Sequence, residues 1–361
     1  MKMQKFLLSL LLLIMLVLAS CSTADGDNTS DSNSDEMTDE LVIFNWTDYM
    51  PDEIIEDFED EFDVNVTYST FASNQEMLSK IQSGTVTYDI AVPSDSYVKI
   101  MRENDLLEKI NFDNIPNFEN MSDEWQNLDF DPDNEYSVVY AYGYDGLIYN
   151  KDKIDKPTSW EDLWDPEYEG HVAVMEAGDE LNDMVQQYMG NDINDPSEEQ
   201  IKEGGEKLKE LMPNVLKFTE APTPELVNEE AWLVYGYSGE AAAAHLDNDN
   251  IEFALPEEGG IRWTDNMVIP ETTENKATAE AFINYLLRPE VSKKLTEDFP
   301  YGNPNEEAVK ELDDEITELP GLDIPADEAE DVVLSDLLDA DKNEIVNQVV
   351  QEAKIKGGAE E

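Results

Sequence analysis

Apolar residues near the start of the folded part of the chain follow two different periods. Residues 41–45 form a short apolar run with β-branched side chains, which predicts a buried strand. Pro51 then begins a segment in which apolar residues recur at helical spacing and acids occupy the other face, which predicts a helix. The apolar positions of this helix are Ile54, Ile55, Phe58 and Phe62.

The alternation of strand and helix patterns continues along the chain. Strands are predicted at residues 64–68, 88–92, 137–144, 147–150, 171–175, 231–237, 251–255 and 267–270. Helices are predicted at residues 73–81, 97–103, 160–164, 180–189, 198–211, 240–246 and 276–286, with Ser73 or Asn74 as the cap of the first. This order favours an α/β fold whose parallel strands are joined by crossover helices.

The first 21 residues have the pattern of an export signal. Lys2 and Lys5 precede an apolar run at residues 6–18, which is short for a membrane-spanning helix. The run ends in Leu18-Ala19-Ser20-Cys21, which resembles a bacterial lipobox and implies a lipid on Cys21. The alternative is an ordinary secretory signal followed by a chance cysteine.

The segment after Cys21 predicts a flexible, acidic tether. Residues 22–39 are rich in Ser, Thr, Asp, Asn and Gly, so they cannot bury enough apolar surface to fold. Because Cys21 is the only cysteine, no disulfide can form within one chain. About 320 residues remain, enough for two domains of ordinary size.

The charge of the chain is strongly negative. It contains 85 acidic and 22 basic residues, which gives a formal net charge of −63. Such a carboxylate-rich surface stays hydrated in concentrated salt, which is typical of halophilic proteins, and it attracts cationic ligands. A nucleic-acid phosphate backbone would be repelled, so nucleic-acid binding is excluded.

Sequence motifs for catalysis or metal binding are incomplete. Gly236-Tyr237-Ser238-Gly239 lacks the last glycine of a nucleophile elbow, and His171 and His245 are the only histidines. The acids at 129, 131 and 133 have calcium-loop spacing, but the required glycine and terminal glutamate are replaced. No phosphate-binding glycine motif is present, so we expect no enzyme activity, cofactor or metal, and any ATPase must be another chain.

Several separated segments resemble the spermidine/putrescine-binding proteins of bacterial ABC importers. They occur in the family's order over nearly the whole predicted mature chain. These segments are Asn45-Trp46-Thr47-Asp48-Tyr49, Tyr68-Ser69-Thr70-Phe71, Val92-Pro93-Ser94, Trp160-Glu161-Asp162-Leu163-Trp164, Leu211-Met212-Pro213-Asn214-Val215, Glu257-Glu258-Gly259-Gly260-Ile261, residues 282–289, and Tyr301 with Pro304-Asn305.

The resemblance implies a two-lobed periplasmic-binding-protein type II fold with the ligand between the lobes. Each lobe would hold a mixed, mainly parallel sheet flanked by helices. Lobe 1 would comprise residues 40–143 plus 264–306, and lobe 2 would comprise residues 144–263 plus 307–361. The protein would be an exported monomer, lipid-anchored to the outer face of the cytoplasmic membrane, that passes its ligand to permease subunits with a separate ATPase.

A polyamine is an apolar chain that carries ammonium groups, so its site needs carboxylates, aromatic walls and hydroxyl acceptors. The resemblance implies a ligand-binding role for ten residues, with Asp265 as the main ammonium partner. They are Trp46, Thr47, Tyr49, Ser94, Tyr97, Glu180, Tyr237, Trp263, Asp265 and Tyr301. In extended backbone, Trp263 and Asp265 would face the same side of a strand.

Two positions depart from the family pattern and leave the choice of ligand open. Ser96 stands where the family often has an aromatic residue, and Ala177 stands where it often has an aspartate. Another organic cation, such as a quaternary ammonium osmolyte, would also suit an aromatic cage. A surface lipoprotein without a transport role is the alternative of a different class.

Overall fold

The computed structural model describes residues 36–47, 49–322, 324–325 and 328–357. The predicted signal peptide, Cys21 and most of the predicted tether therefore lie outside the described residues. Residues 48, 323, 326–327 and 358–361 are also outside them.

The described residues form strands and helices in alternation. The strands are β1 (Glu40–Trp46), β2 (Asn65–Phe71), β3 (Ile90–Ala91), β4 (Ser137–Asn150), β5 (Val172–Val174), β6 (Val215–Phe218), β7 (Leu233–Tyr237), β8 (Ile251–Ala254), β9 (Ile261–Val268) and β10 (Val333–Leu334). The α-helices are α1 (Asp52–Phe62), α2 (Asn74–Ser83), α3 (Asp95–Glu103), α4 (Gly178–Tyr188), α5 (Glu198–Leu211), α6 (Thr223–Val227), α7 (Ser238–Asp247), α8 (Lys276–Leu286), α9 (Pro289–Asp298), α10 (Glu306–Val309), α11 (Asp314–Thr317) and α12 (Ala340–Gly357). Short 3-10 helices cover Phe112–Asn114, Pro116–Asn120, Asp123–Trp125, Trp160–Trp164 and Pro166–Tyr168.

The strands form one mixed sheet in the order β2-β1-β3-β9-β4-β7-β5-β6, with β10 beside β9 and β8 beside β4. Parallel pairs lie towards both ends of this order, where β1 pairs with β2 and β3, and β5 pairs with β6 and β7. The centre is antiparallel, because β4 runs against β9, β7 and β8. The first strands have the parallel pairing that their alternation with helices predicts, and the antiparallel centre makes the sheet mixed, as the resemblance implies.

Two predictions near the centre of the sheet are wrong. Residues 137–144 and 147–150 are one continuous strand, β4, because neighbouring side chains cover its glycines. A Cβ atom on Gly143 would lie 2.3 Å from the Trp263 indole, and one on Gly146 would lie 2.4 Å from the Phe253 ring. The strand predicted at 267–270 is β9, which begins six residues earlier at Ile261, where polar residues interrupt the apolar pattern.

Two main groups of buried side chains lie along β4. One includes Val138 and Ala141 of β4 and helix α8. The other includes Leu147 and Tyr149 of β4 and buried residues of α4, α5 and α12. The register of β4 against β9 shifts between Val139 and Ala141, which marks a β-bulge. Strand β4 thus connects both cores, while the division into two lobes at residues 143 and 144 stays a prediction.

Candidate ligand-binding site

The site is built on one face of the antiparallel strands β9, β4 and β7. Asp265 is paired with Ala141, and Trp263 is paired with Gly143. Asp145 is paired with Ile261 on one side and with Tyr237 on the other. Because directly paired residues project from the same face of a sheet, the side chains of Asp265, Trp263, Asp145 and Tyr237 share one face.

Asp265 is buried at one end of this face. Its Oδ1 accepts a 2.8 Å hydrogen bond from the Ser94 hydroxyl, and the Asn74 amide in turn donates a 3.0 Å bond to the Ser94 oxygen. Burial raises the pKa of Asp265 to about 6, and the Ser94 hydrogen bond opposes that rise. Asp265 is thus a carboxylate in a dry environment, held in place by a hydroxyl group.

Trp46 and Tyr49 also approach Asp265, from the end of β1 and the segment after it. The Tyr49 hydroxyl and the Trp46 indole N–H both lie close enough to lower the pKa of Asp265. Neither donor makes a hydrogen bond of good geometry in the described structure. The Asp265 end therefore combines one carboxylate with two aromatic side chains whose polar atoms point towards it.

Aromatic rings continue from Asp265 towards β7. The centroid of Tyr301 lies 5.7 Å from that of Tyr49 and 5.4 Å from that of Trp263, and the Trp263 centroid lies 5.8 Å from that of Tyr237. Gly239 makes room for Tyr301, since a Cβ there would lie 2.2 Å from the Tyr301 ring. The four rings meet edge to face and form one continuous aromatic row.

Glu180 lies at the other end of this row, in the first turn of α4. The Tyr237 hydroxyl donates a 2.6 Å hydrogen bond to Glu180 Oε1. Burial raises the pKa of Glu180 well above its usual value, and the nearby charges of Glu220 and Asp145 raise it further. A carboxylate row thus continues beyond the rings.

Glu220 and Asp145 complete this acidic end. Glu220 Oε1 accepts backbone hydrogen bonds from Glu176 and Ala177, at 2.7 and 3.1 Å. Three buried oxygens make no hydrogen bond in the described structure: Asp145 Oδ1, Glu180 Oε2 and Glu220 Oε2. None of the four carboxylates at the two ends takes part in an ion pair among the described residues. Such an arrangement suits an external cation.

Comparison with known proteins decides the family. The sequence profile of the bacterial extracellular solute-binding proteins matches residues 53–324. The chain belongs to this family. The spermidine/putrescine-binding periplasmic protein of Salmonella typhimurium is 37% identical over 282 residues, covering 77% of this chain and 81% of the relative. The Escherichia coli protein of the same description is 35% identical over 301 residues, covering 82% of this chain and 83% of the relative.

Solved structures agree with this assignment. A putative spermidine/putrescine ABC transporter protein from Listeria monocytogenes is 33% identical, with a TM-score of 0.82 over 88% of this chain and 99% of that chain. The corresponding substrate-binding protein from Streptococcus pneumoniae is 31% identical, with a TM-score of 0.79 over 89% of this chain and 100% of that chain. The predicted resemblance and the predicted fold class are confirmed.

Eight of the ten predicted site residues of this solute-binding protein lie in the row just described. Thr47 is exposed, and its hydroxyl donates a 3.4 Å hydrogen bond to the Phe71 carbonyl. Tyr97 packs in the core with Phe44 and Met101, and burial and the charge of Asp179 raise its pKa. Binding roles for Thr47 and Tyr97 stay predictions.

Sequence reasoning missed four acids close to the row. Asp95 accepts hydrogen bonds from the backbone of Ser96 and Thr264, and burial raises its pKa to about 7. Glu240 accepts a 2.9 Å bond from Thr223, and burial raises its pKa also. The other two are Asp145 and Glu220. Of these, only Asp145 had a recognisable pattern, since it is the single charged residue in the apolar stretch 137–150.

The acids of the site do not form a metal centre. Among the described residues, no group of three or more acids, histidines or cysteines has a geometry that could hold a metal ion. In the same part of the chain, no helix is long and apolar enough to cross a bilayer. One carboxylate lies at one end of the rings and three lie at the other.

Proposed function

We propose that this chain captures a polyamine of the spermidine/putrescine type, without changing it chemically, and delivers it to an ABC permease. The observation that carries the proposal is the row of four rings with unneutralised, buried carboxylates at both ends. A buried carboxylate without a cationic partner is unfavourable, so an ammonium group at each end would stabilise its ionised form.

The spacing of the two ends favours an elongated ligand. Asp265 lies opposite residue 141, four residues from Asp145 along β4, so the two acids are offset by about 13 Å in the strand direction. Methylene groups between the ammonium ends would lie against Trp263 and Tyr301, and each ammonium would gain cation–π attraction there. A compact quaternary ammonium ion could occupy only one end.

The relatives support the same ligand class. The matched proteins of Salmonella typhimurium and Escherichia coli are described as spermidine/putrescine-binding periplasmic proteins. A further relative, from Pseudomonas aeruginosa, is described as a putrescine/cadaverine-binding protein at 29% identity. All three descriptions name linear amines with separated charges.

Isothermal titration of the purified protein with spermidine, putrescine and glycine betaine tests the proposal. We expect saturable binding of at least one of the linear amines and none of glycine betaine. Binding of glycine betaine alone would favour the osmolyte alternative. Absence of binding by all three would contradict a polyamine function.

We also propose that the protein is exported, anchored through a lipid on Cys21, and monomeric, with a surface adapted to high salt. The lipobox pattern and the net charge of −63 support this. Labelling cells with a radioactive fatty acid should mark the wild-type protein and leave Cys21→Ser unmarked. Light scattering of the soluble form should give the mass of one chain, and unfolding midpoints should rise with salt.

A further inference from the structure

Asp145 occupies the point at which β4 changes its main partner strand. Residues 137–145 pair with β9 and residues 145–149 pair with β7, so Asp145 has a neighbouring strand residue on each side. Its side chain is 3% exposed, and its Oδ1 has no hydrogen-bond partner in the described structure. A charged group at the centre of a sheet requires an explanation.

Three aromatic side chains lie close to Asp145: Trp263, Tyr237 and Tyr235. Trp263 packs over Gly143, the nearest β4 residue on the same face, and its indole N–H lies close enough to lower the pKa of Asp145. Tyr237 is the direct cross-strand neighbour. Burial raises the pKa of Asp145 well above its usual value, and the charges of Asp183 and Glu220 raise it further, while the nearby donors of Trp263 and Tyr235 oppose the rise. Among the described residues, no lysine or arginine forms an ion pair with Asp145.

We propose that Asp145 is a further ligand-binding residue that pairs directly with an ammonium group, so that the Glu180 end of the site takes two positive charges while the Asp265 end takes one. This inference rests on the proposed polyamine function and adds a selectivity to it. Three acids, Asp145, Glu180 and Glu220, then face two ammonium groups separated by a short carbon chain. A linear triamine supplies two ammonium groups at this end and one at the Asp265 end. A diamine that spans both ends supplies only one here, so two of these three acids stay without an ammonium partner.

A purely structural role explains the geometry less well. Asp131 shows what a structural buried acid looks like here, because it accepts hydrogen bonds from the backbone of residues 135–137 and from the Ser137 hydroxyl. Asp183 is similar, since Ser335 and Asn182 donate to it. Asp145 Oδ1, in contrast, has no hydrogen-bond partner and lies beside aromatic rings. This arrangement is expected of an acceptor whose hydrogen-bond donor is a bound ligand.

The test is the affinity of Asp145→Asn for spermidine and putrescine, measured by titration calorimetry near neutral pH. The substitution keeps the shape and removes the charge, so we expect spermidine affinity to fall by about tenfold or more and putrescine affinity by less than about threefold. The unfolding midpoint of the free variant should equal or exceed that of the wild type, because an unpaired buried charge is removed. Asp145→Ser provides a second variant if the asparagine protein does not fold.

Two matched controls separate direct pairing from a general loss of charge. Glu257→Gln removes a surface acid, and Asp183→Asn removes a buried acid that already has hydrogen-bond donors. Both should bind spermidine within about threefold of the wild type. A loss in Asp183→Asn equal to that in Asp145→Asn would overturn direct pairing.

The proposed function and this inference fail in different ways. If the wild type binds polyamines and Asp145→Asn binds spermidine within about twofold of the wild type, the role of Asp145 is overturned and the polyamine function stands. Equal affinity of the wild type for diamine and triamine would also overturn the inference alone. If the wild type binds no polyamine, both are overturned.

Discussion

The two ends of the ring row carry the same chemical groups in different states. At the Asp265 end, one carboxylate accepts a hydrogen bond from Ser94 and stands beside two aromatic donors. At the Glu180 end, three acids crowd together, and each has one oxygen without a partner. Neighbouring donors therefore favour the ionised form of Asp265 at the first end, while the neighbouring acids at the second end oppose ionisation of one another.

The two ends therefore differ in how much of the ionisation of their acids depends on the ligand. At the Asp265 end the protein itself supports ionisation, so a ligand adds a strong pairing to a carboxylate that is ionised at neutral pH. At the Glu180 end burial raises the pKa values of Asp145 and Glu180, and the charges of neighbouring acids raise them further, so protons must leave this end for solvent as an ammonium group binds.

The largest effect should come from Asp265→Asn. Loss of a charge-assisted hydrogen bond should weaken polyamine binding by about 1.5–3 kcal/mol. Titration calorimetry measures this, with Glu257→Gln as the control of equal charge change. An affinity equal to that of the wild type would remove Asp265 from the site.

The second prediction concerns pH. Polyamine affinity should fall by about tenfold between about pH 7.5 and pH 5.5, because carboxyls with raised pKa values, Asp265 at about 6 among them, take up protons and no longer pair with ammonium groups. Titrations in constant high salt measure this. An affinity that does not change over this range would contradict ionised acids at both ends.

The stability of the ligand-free protein should have the opposite pH dependence. The native state keeps the Asp265 proton up to a pH of about 6, whereas the unfolded chain loses it at a lower pH near 4. Between these values the native state binds more protons, so the free energy of unfolding falls as pH rises, by on the order of 3 kcal/mol for this pKa. Thermal unfolding in constant salt should show a higher midpoint at about pH 5.5 than at pH 8, and less so in Asp265→Asn.

A smaller effect is expected from Gly143→Ala. The added methyl group would lie 2.3 Å from the Trp263 indole, so the ring between the two ends must move. We expect polyamine binding to weaken by about 1 kcal/mol, through lost ring contact and cation–π attraction. Gly84→Ala is a matched control of packing, since nothing lies within 4 Å of a Cβ at that position, although its positive φ adds local strain.

The smallest effect should come from Ser94→Ala. This variant removes the hydroxyl that donates to Asp265, which should raise the pKa of Asp265 and weaken binding by about 0.5–1 kcal/mol at neutral pH. The loss should grow as pH falls towards 6. A loss independent of pH would mean that Ser94 acts on the ligand directly rather than through Asp265.

Most of the fold could be predicted because local patterns and tertiary packing agree. Helices α5 and α8 have the predicted bounds, and Ser73 caps α2 by accepting a hydrogen bond from the Glu76 backbone. The centre of the sheet could not be predicted, because the sequence pattern places the end of one strand and the start of another at the glycines of β4. The space beside these glycines is occupied by the rings of Trp263 and Phe253, which are distant in sequence, so no local pattern reveals it.

The site was predicted in part, for a related reason. Asp265 and Trp263 stand two apart on one strand, so their shared face followed from strand geometry. Asp145 joins them only through the antiparallel register of β4 and β9, which no local pattern specifies. Glu220 is one of 85 acidic residues, and nothing in the sequence around it distinguishes it from the others.

The β-bulge between Val139 and Ala141 has a mechanical consequence. Bulges are places where a strand bends, and this one lies beside the stretch of β4 that sets the distance between Asp265 and Asp145. Any change in the curvature of β4 would therefore lengthen or shorten that distance directly. Ligand binding and bending of β4 would therefore change together. The distance between two spectroscopic labels on either side of the bulge would then report the fraction of molecules that hold a ligand.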